Sequence, residues 1–269
     1  MINVHYCHFF GDQTICKSIQ KKLNGTIFLL MCRFNAKKNT TMSIPFIWII
    51  FGILFILSLV ASKSVEAKFK KYSKIAMNYG MTGREVAEQM LRDNDIRDVT
   101  VQEVNGTLTD HYNPVNKTLN LSHAVYHGNS VAAAAVAAHE CGHAVQHATA
   151  YYWLGLRSKL VPAVNLSSRV TPWILLIGIL MVQKFPSLLL VGIILFAVTT
   201  LFTFVTLPVE INASRRALVW LNTHNITTPD THPYAESALR SAAYTYVVSA
   251  LTSLATLLYY LMIYLSGRD

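Results

Sequence analysis

Residues 130–148 read SVAAAAVAAHECGHAVQHA. Alanine has the highest intrinsic helix propensity. Ser130 is a residue type that accepts a hydrogen bond from the first unpaired backbone N–H groups of a helix. The stretch therefore predicts an α-helix over 131–148. On such a helix, positions i and i+4 share one face about 6 Å apart, so His139 and His143 both reach a single tetrahedral ion. Two imidazoles at that spacing suit zinc, which takes nitrogen ligands at about 2.0–2.1 Å. Glu140 projects beside them, placed to take a proton from water that such an ion has made acidic. Cys141 lies about 200° around the helix from His139 and reads as a packing residue, with Gly142 as a point of close approach. His147 is about 12 Å further along the axis than His139. That distance separates it from the same ion and leaves it on a polar face.

The remainder of the chain says where this helix sits. Of 269 residues, 52% are hydrophobic and only 14% are charged, and mean hydropathy is +0.35. Both figures lean away from soluble proteins and toward a membrane. The net charge of +9 is concentrated: residues 1–74 hold 11 Lys/Arg against 2 Asp/Glu, and the rest hold 12 of each sign. Basic residues confined to the flanks of the first apolar run are a topology signal, unlike the basic face of a nucleic-acid-binding domain. Nucleic acid is excluded as an expected partner. The cysteines, Cys7, Cys16, Cys32 and Cys141, form neither a disulfide framework nor a Cys-x-x-Cys metal pattern.

Residues 44–62 are apolar over a length that just crosses a bilayer core. Lys63, Lys68, Lys70, Lys71 and Lys74 follow, and the positive-inside rule assigns that side to the cytoplasm. Residues 1–41 form a second basic flank, with Lys17, Lys21, Lys22, Arg33, Lys37 and Lys38. A translation start at Met42 would remove it, and N-terminal mass analysis of the natural protein decides between the two.

Residues 63–170 are mixed in composition and predict a water-facing portion. It holds a helix over 83–92 capped by Thr82, and strand-like alternation over 98–108 and 117–121. A turn at Asp110, Asn113 and Pro114 separates the two strands, and the helix over 131–148 follows. Residues 171–207 read as a transmembrane hairpin, 208–245 as a polar segment and 246–265 as the last span. The fold class is thus mainly α: an integral membrane protein with about four transmembrane helices and a small α+β portion at one membrane face. Because the hairpin returns the chain to its starting side, 63–170 and 208–245 share that face.

A third ligand must come from outside the helix. Glu210, in LPVEINASRR (207–216), directly follows a span, where a carboxylate is costly and marks function. The competing reading is an interfacial ion pair with Arg215 or Arg216, and Glu236 is the fallback ligand. Ser214, one helical turn on, is placed to hydrogen-bond a ligating histidine. Hydrolysis also needs a donor to the developing oxyanion, for which His111, Tyr112, His232 and Tyr234 are candidates.

HECGH (139–143), LPVEINASRRAL (207–218), LTDHYNP (108–114) and LNLS (119–122) together resemble the YugP-type family of neutral zinc metallopeptidases. The resemblance runs from about residue 44 to the C-terminus and leaves 1–41 uncovered. It implies a zincin-like catalytic portion with a gluzincin-like ligand set, carried onto His139, His143 and Glu210 around Zn2+, and Glu140 as general base. It also implies protein or peptide substrates, membrane proteins among them, and a bacterial cell membrane, on whose cytoplasmic side the lysine-rich flank places the site. An extended segment before the helix, residues 116–122, would pair with the substrate backbone. The chain departs from the pattern at Asn113 and Asn212, where Asp is expected, and at Ser214, which stands for the Asp of Glu-x-x-x-Asp. Two other readings compete. A site-2-type intramembrane protease would place the histidines in a transmembrane helix, and a non-catalytic scaffold with structural zinc would have no use for Glu140.

Overall fold

The structure, a computed structural model, describes residues 44–77 and 80–267; the basic extension 1–41 and Met42 lie outside them. Seven helices and three short strands follow one another among the described residues. The helices are α1 (Ile44–Tyr72), α2 (Gly83–Asp93), α3 (His123–Tyr126), α4 (Val131–Ala148), α5 (Tyr152–Leu180), α6 (Pro186–Thr223) and α7 (His232–Ser266). The strands, β1 (Thr100–Val104), β2 (His111–Asn113) and β3 (Thr118–Ser122), lie between α2 and α3. Four helical stretches are long and apolar enough to cross a membrane: Ile47–Tyr72, Tyr152–Leu180, Pro186–Thr223 and His232–Ser266. The chain is mainly helical with a small sheet, as its composition predicts.

These helices outrun the apolar runs from which they were predicted. α5 begins at Tyr152 rather than near residue 171, and α7 at His232 rather than 246; α6 continues past 207 to Thr223. Hydropathy marks the apolar part of a helix, whereas the backbone hydrogen-bond ladder continues through mixed sequence. Pro162, Pro172 and Pro208 all lie within helices.

The described chain divides into two compact units, each drawing on parts of α1, α5, α6 and α7. Residues 44–58, 160–204 and 248–267 make one. Its centre is Leu175, Val182, Leu189, Ile193 and Tyr260. Gly178 permits the approach of the next helix, since a Cβ there would lie 2.8 Å from the Leu189 Cα. Ile53, Phe55, Ile56, Leu180 and Ile194 of this unit are exposed, as side chains meeting lipid would be.

The other unit, residues 59–159 and 205–247 without the two undescribed positions, carries the sheet, α2, α3 and α4. α4 is buried almost all round. An alanine-rich surface lets neighbours approach closely on every side, and Val86, Met90 and Leu91 of α2, Leu119 and Leu121 of β3, and Trp220 and Leu221 of α6 share its core. Both predicted caps form: Ser130 Oγ accepts from Ala133 N at 3.3 Å. Thr82 and Glu85 exchange the reciprocal bonds of a capping box.

The strand order is β1-β3-β2, with β1 parallel and β2 antiparallel to β3. Asn113 Oδ1 accepts from Val115 N and Asn116 N at 2.9 and 3.3 Å and so builds the β2–β3 turn. Asn and Asp serve equally as acceptors in such a turn, which explains why Asn113 is tolerated. The order corrects one expectation. β3, which contains most of residues 116–122, is the central strand, paired with β1 along Thr118–Ser122 and with β2 over Thr118–Asn120, so most of its length has no edge left for another chain; β2 is the outer strand on that side.

Candidate metal centre

α4 and α6 meet where Gly142 faces Ala213, and a Cβ on Gly142 would stand 2.6 Å from the Ala213 carbonyl oxygen. This close approach lets Ser214, the next residue of α6, reach His139 on α4. Glu210 Oε2 lies 3.4 Å from His139 Nε2 and 3.6 Å from His143 Nε2. The ligand atoms of the three residues all fall within 4.8 Å of one another. The imidazoles are nearly perpendicular, at 83°, with centroids 4.9 Å apart.

The far nitrogens are held from behind. Ser214 Oγ lies 3.0 Å from His139 Nδ1, and Gln146 Oε1 lies 3.0 Å from His143 Nδ1. Gln146 Nε2 donates to the Val209 carbonyl at 2.8 Å and to Asn212 Oδ1 at 3.0 Å, which fixes the amide so that Oε1 is the atom facing His143. An amide oxygen only accepts, so His143 donates from Nδ1, and Nε2 is the ring atom that faces Glu210. Glu210 Oε2 is a buried carboxylate oxygen that faces both Nε2 atoms. A buried carboxylate is kept where positive charge compensates it, and an ion shared by the three groups would supply that. Two imidazole nitrogens and one carboxylate oxygen are a zinc donor set, and three protein ligands leave a coordination position open. These residues fit the ion.

Glu210 is held on its other side by Arg157, whose Nη1 is 3.2 Å from Oε1, and by a hydrogen bond from Tyr246. Arg215 and Arg216, the partners of the competing ion-pair reading, are not the ones it pairs with. Arg216 instead donates to Asn212 Oδ1 at 2.8 Å and lies over the Tyr151 ring. Glu236, the fallback ligand, pairs with Arg240.

Glu140 is buried beside His139, and its Oε2 accepts from Tyr112 N at 3.1 Å. Burial pushes its carboxyl up to about 7; Asp110 and Glu210 add to that, and His139 opposes it. Tyr112 sits on β2, and the strand is held in place by Asp110, whose carboxylate accepts from Ser122 N at 2.7 Å and Ser122 Oγ at 3.0 Å. Burial raises the Asp110 carboxyl, against the lowering effect of those bonds. Cys141, fully buried, donates to the Ala87 carbonyl at 3.4 Å, a packing role on the opposite side of α4.

The oxyanion candidates are placed unevenly. Tyr112 adjoins Glu140 through its backbone, while its hydroxyl lies 3.0 Å from His147 Nδ1. His111 Nδ1 is 2.8 Å from the Thr109 carbonyl, and its Nε2 is 3.2 Å from Asn120 Nδ2. His232 bonds Thr227 Oγ1 at 2.9 Å, and Tyr234 packs on Tyr72 at 5.3 Å. Neither of these last two hydrogen-bonds the His139–His143–Glu210 group.

Three residues of the site escaped the sequence reading. Arg157 stands in a stretch that mixes charge with apolar residues, and Tyr246 among the apolar and aromatic residues of the last span. Gln146 carried a signal, since a polar amide in a helix of alanines, three residues after a ligating histidine, is placed to hold that ring. Ser214 leads to a prediction. Ser214→Ala removes the only described partner of His139 Nδ1 and should weaken zinc binding about 10–100-fold without unfolding the chain. Competition against a chromogenic chelator measures this, and Ser214→Asp should retain affinity.

Residues 47–265 match the model of the family described as "Putative neutral zinc metallopeptidase". The chain is 44% identical over 213 residues to the "Putative membrane protease YugP" of Bacillus subtilis (strain 168), a match covering 79% of this chain and 94% of that one. No solved structure matches it. A His/His/Glu cluster fit for zinc, four helices suited to a membrane and these two matches agree, and the chain belongs to this family of zinc-dependent membrane peptidases.

Proposed function

We propose that the chain is an endopeptidase that hydrolyses peptide bonds of protein substrates, membrane proteins among them, at the cytoplasmic face of the cell membrane. In this reading His139, His143 and Glu210 hold the ion in a gluzincin-like set. The observation that carries it is the convergence of two Nε2 atoms and one buried carboxylate oxygen, with Glu140 adjacent.

Bound zinc supplies a Lewis acid that polarises the scissile carbonyl and makes water acidic near neutral pH. Glu140, aimed by the Tyr112 N–H, takes the proton of the attacking water and returns it to the leaving amine. Ser214 and Gln146 orient the two imidazoles, while Arg157 and Tyr246 hold Glu210 so that Oε2 faces them. β2, the outer strand beside Glu140, presents the substrate-pairing edge in place of residues 116–122, and backbone pairing there reads little of the substrate sequence.

Two other readings are less well supported. A site-2-type enzyme carries its histidines in a membrane span, and α4 is not among the four helices of span length and apolarity. A structural zinc has closed coordination, which fits poorly with three ligands beside a buried carboxylate.

One experiment tests both metal dependence and sidedness. A membrane-permeant chelator should abolish hydrolysis of an unfolded reporter in the cytoplasm, with activity restored by zinc, and an impermeant chelator outside intact cells should leave it unchanged. Hydrolysis that persists under the permeant chelator removes the zinc mechanism, and loss under the impermeant one reverses the orientation.

A further inference from the structure

Elsewhere in the same unit, two histidines again stand four residues apart. His123 opens α3 directly after the last residue of β3, and His127 caps the C-terminal end of that helix. Their rings lie 4.9 Å apart at an interplanar angle of 55°. Glu103 comes from β1, which runs parallel to β3 with Glu103 opposite Leu121, two positions before His123. That register brings its carboxylate to both rings through separate oxygens. Oε1 lies 2.6 Å from His123 Nδ1, and Oε2 lies 3.2 Å from His127 Nε2. The ligand atoms of the three residues fall within 4.8 Å of one another, the same limit that encloses His139, His143 and Glu210.

We propose that Glu103, His123 and His127 form a second divalent-metal site, for zinc or a similarly borderline transition ion. The donor set decides the class, because imidazole suits zinc, copper and nickel, whereas magnesium and calcium take all-oxygen sites. Each of the three groups already directs a donor atom toward the other two, and a shared ion needs only small side-chain rotations. Solvent exposure of 75%, 56% and 39% for the side chains of His123, His127 and Glu103 separates this site from the buried one. Water completes its coordination, and its ion exchanges readily.

The position gives such an ion a task. α3 is a single turn wedged between the sheet and α2, where the Val125 carbonyl lies so close to Gly83 that a Cβ there would stand 2.2 Å away. Ser122, the partner of Asp110, immediately precedes His123. An ion joining Glu103 to both histidines would tie β1 to α3 and brace the end of β3 at which that buried acid holds β2. This inference is independent of the reading of His139, His143 and Glu210, and its test separates the two.

The full chain in detergent is dialysed against buffered zinc, and bound metal is measured by elemental analysis. The unsubstituted chain should hold two equivalents, and the His123→Asn/His127→Asn and His139→Asn/His143→Asn pairs one each. A brief wash with a weak chelator should strip the surface equivalent first. Glu103→Gln keeps both rings and one of the two acceptor oxygens. It should also fall to one equivalent, which guards against an unfolded histidine variant. Metal content unchanged from the unsubstituted chain in His123→Asn/His127→Asn or in Glu103→Gln overturns the second site, and unchanged content in His139→Asn/His143→Asn counts only against the first.

Discussion

Glu140→Gln should lower peptide hydrolysis by about 10²–10⁴-fold while the protein keeps its zinc. The amide has nearly the volume of the carboxylate and can still accept from Tyr112 N, which stands 3.1 Å from Oε2. What it lacks is basicity. A buried group beside His139 that orients correctly but takes no proton leaves substrate binding and the ligand set intact. Zinc content and turnover measured on the same preparation check both halves. Unchanged cleavage would end the general-base role, and loss of zinc would assign Glu140 to holding the centre together.

The second large effect comes from a residue that touches no reactant. Gly142→Ala places a methyl 2.6 Å from the Ala213 carbonyl oxygen and 3.1 Å from its carbonyl carbon and Cα. All three are backbone atoms, so no side-chain rotation relieves the contact and α4 and α6 must part. Overpacking of this kind costs about 1–3 kcal/mol. A displacement near 1 Å at a reacting centre costs about 10²-fold in rate, and here the shift acts directly on His143 and Ser214. Lower melting temperature, weaker zinc binding and about 10²-fold slower hydrolysis should therefore appear together. Gly155→Ala, where a Cβ meets nothing within 4 Å, supplies the control and should leave all three in place. A Gly142→Ala protein with full activity would show that the helices have room to spare.

Much of this centre was legible because its signals are local or topological. The histidines and Glu140 occupy one helical turn pattern, and the capping serine, the alanine run and the four apolar stretches obey periodicity and length. Glu210 was legible for a different reason: a carboxylate at the end of a span, on the side to which a hairpin returns, has few bland explanations. Arg157 was hidden because residues 152–170 mix charge with apolar residues and lack a run long enough to mark the first part of α5. Tyr246 sits among the aromatic and apolar residues of α7, where tyrosine is unremarked. The central position of β3 was hidden too. A parallel pairing of β1 with β3 skips over β2 in sequence, and alternation within each strand carries no information about which neighbour it takes.

The hydrogen bonds from Gln146 to the Val209 carbonyl and to Asn212 join α4 to α6 without any help from the ion. Together with the Ser214 contact to His139, they aim each imidazole of α4 through a partner that reaches α6, so any change in the spacing of the two helices is felt at both rings at once.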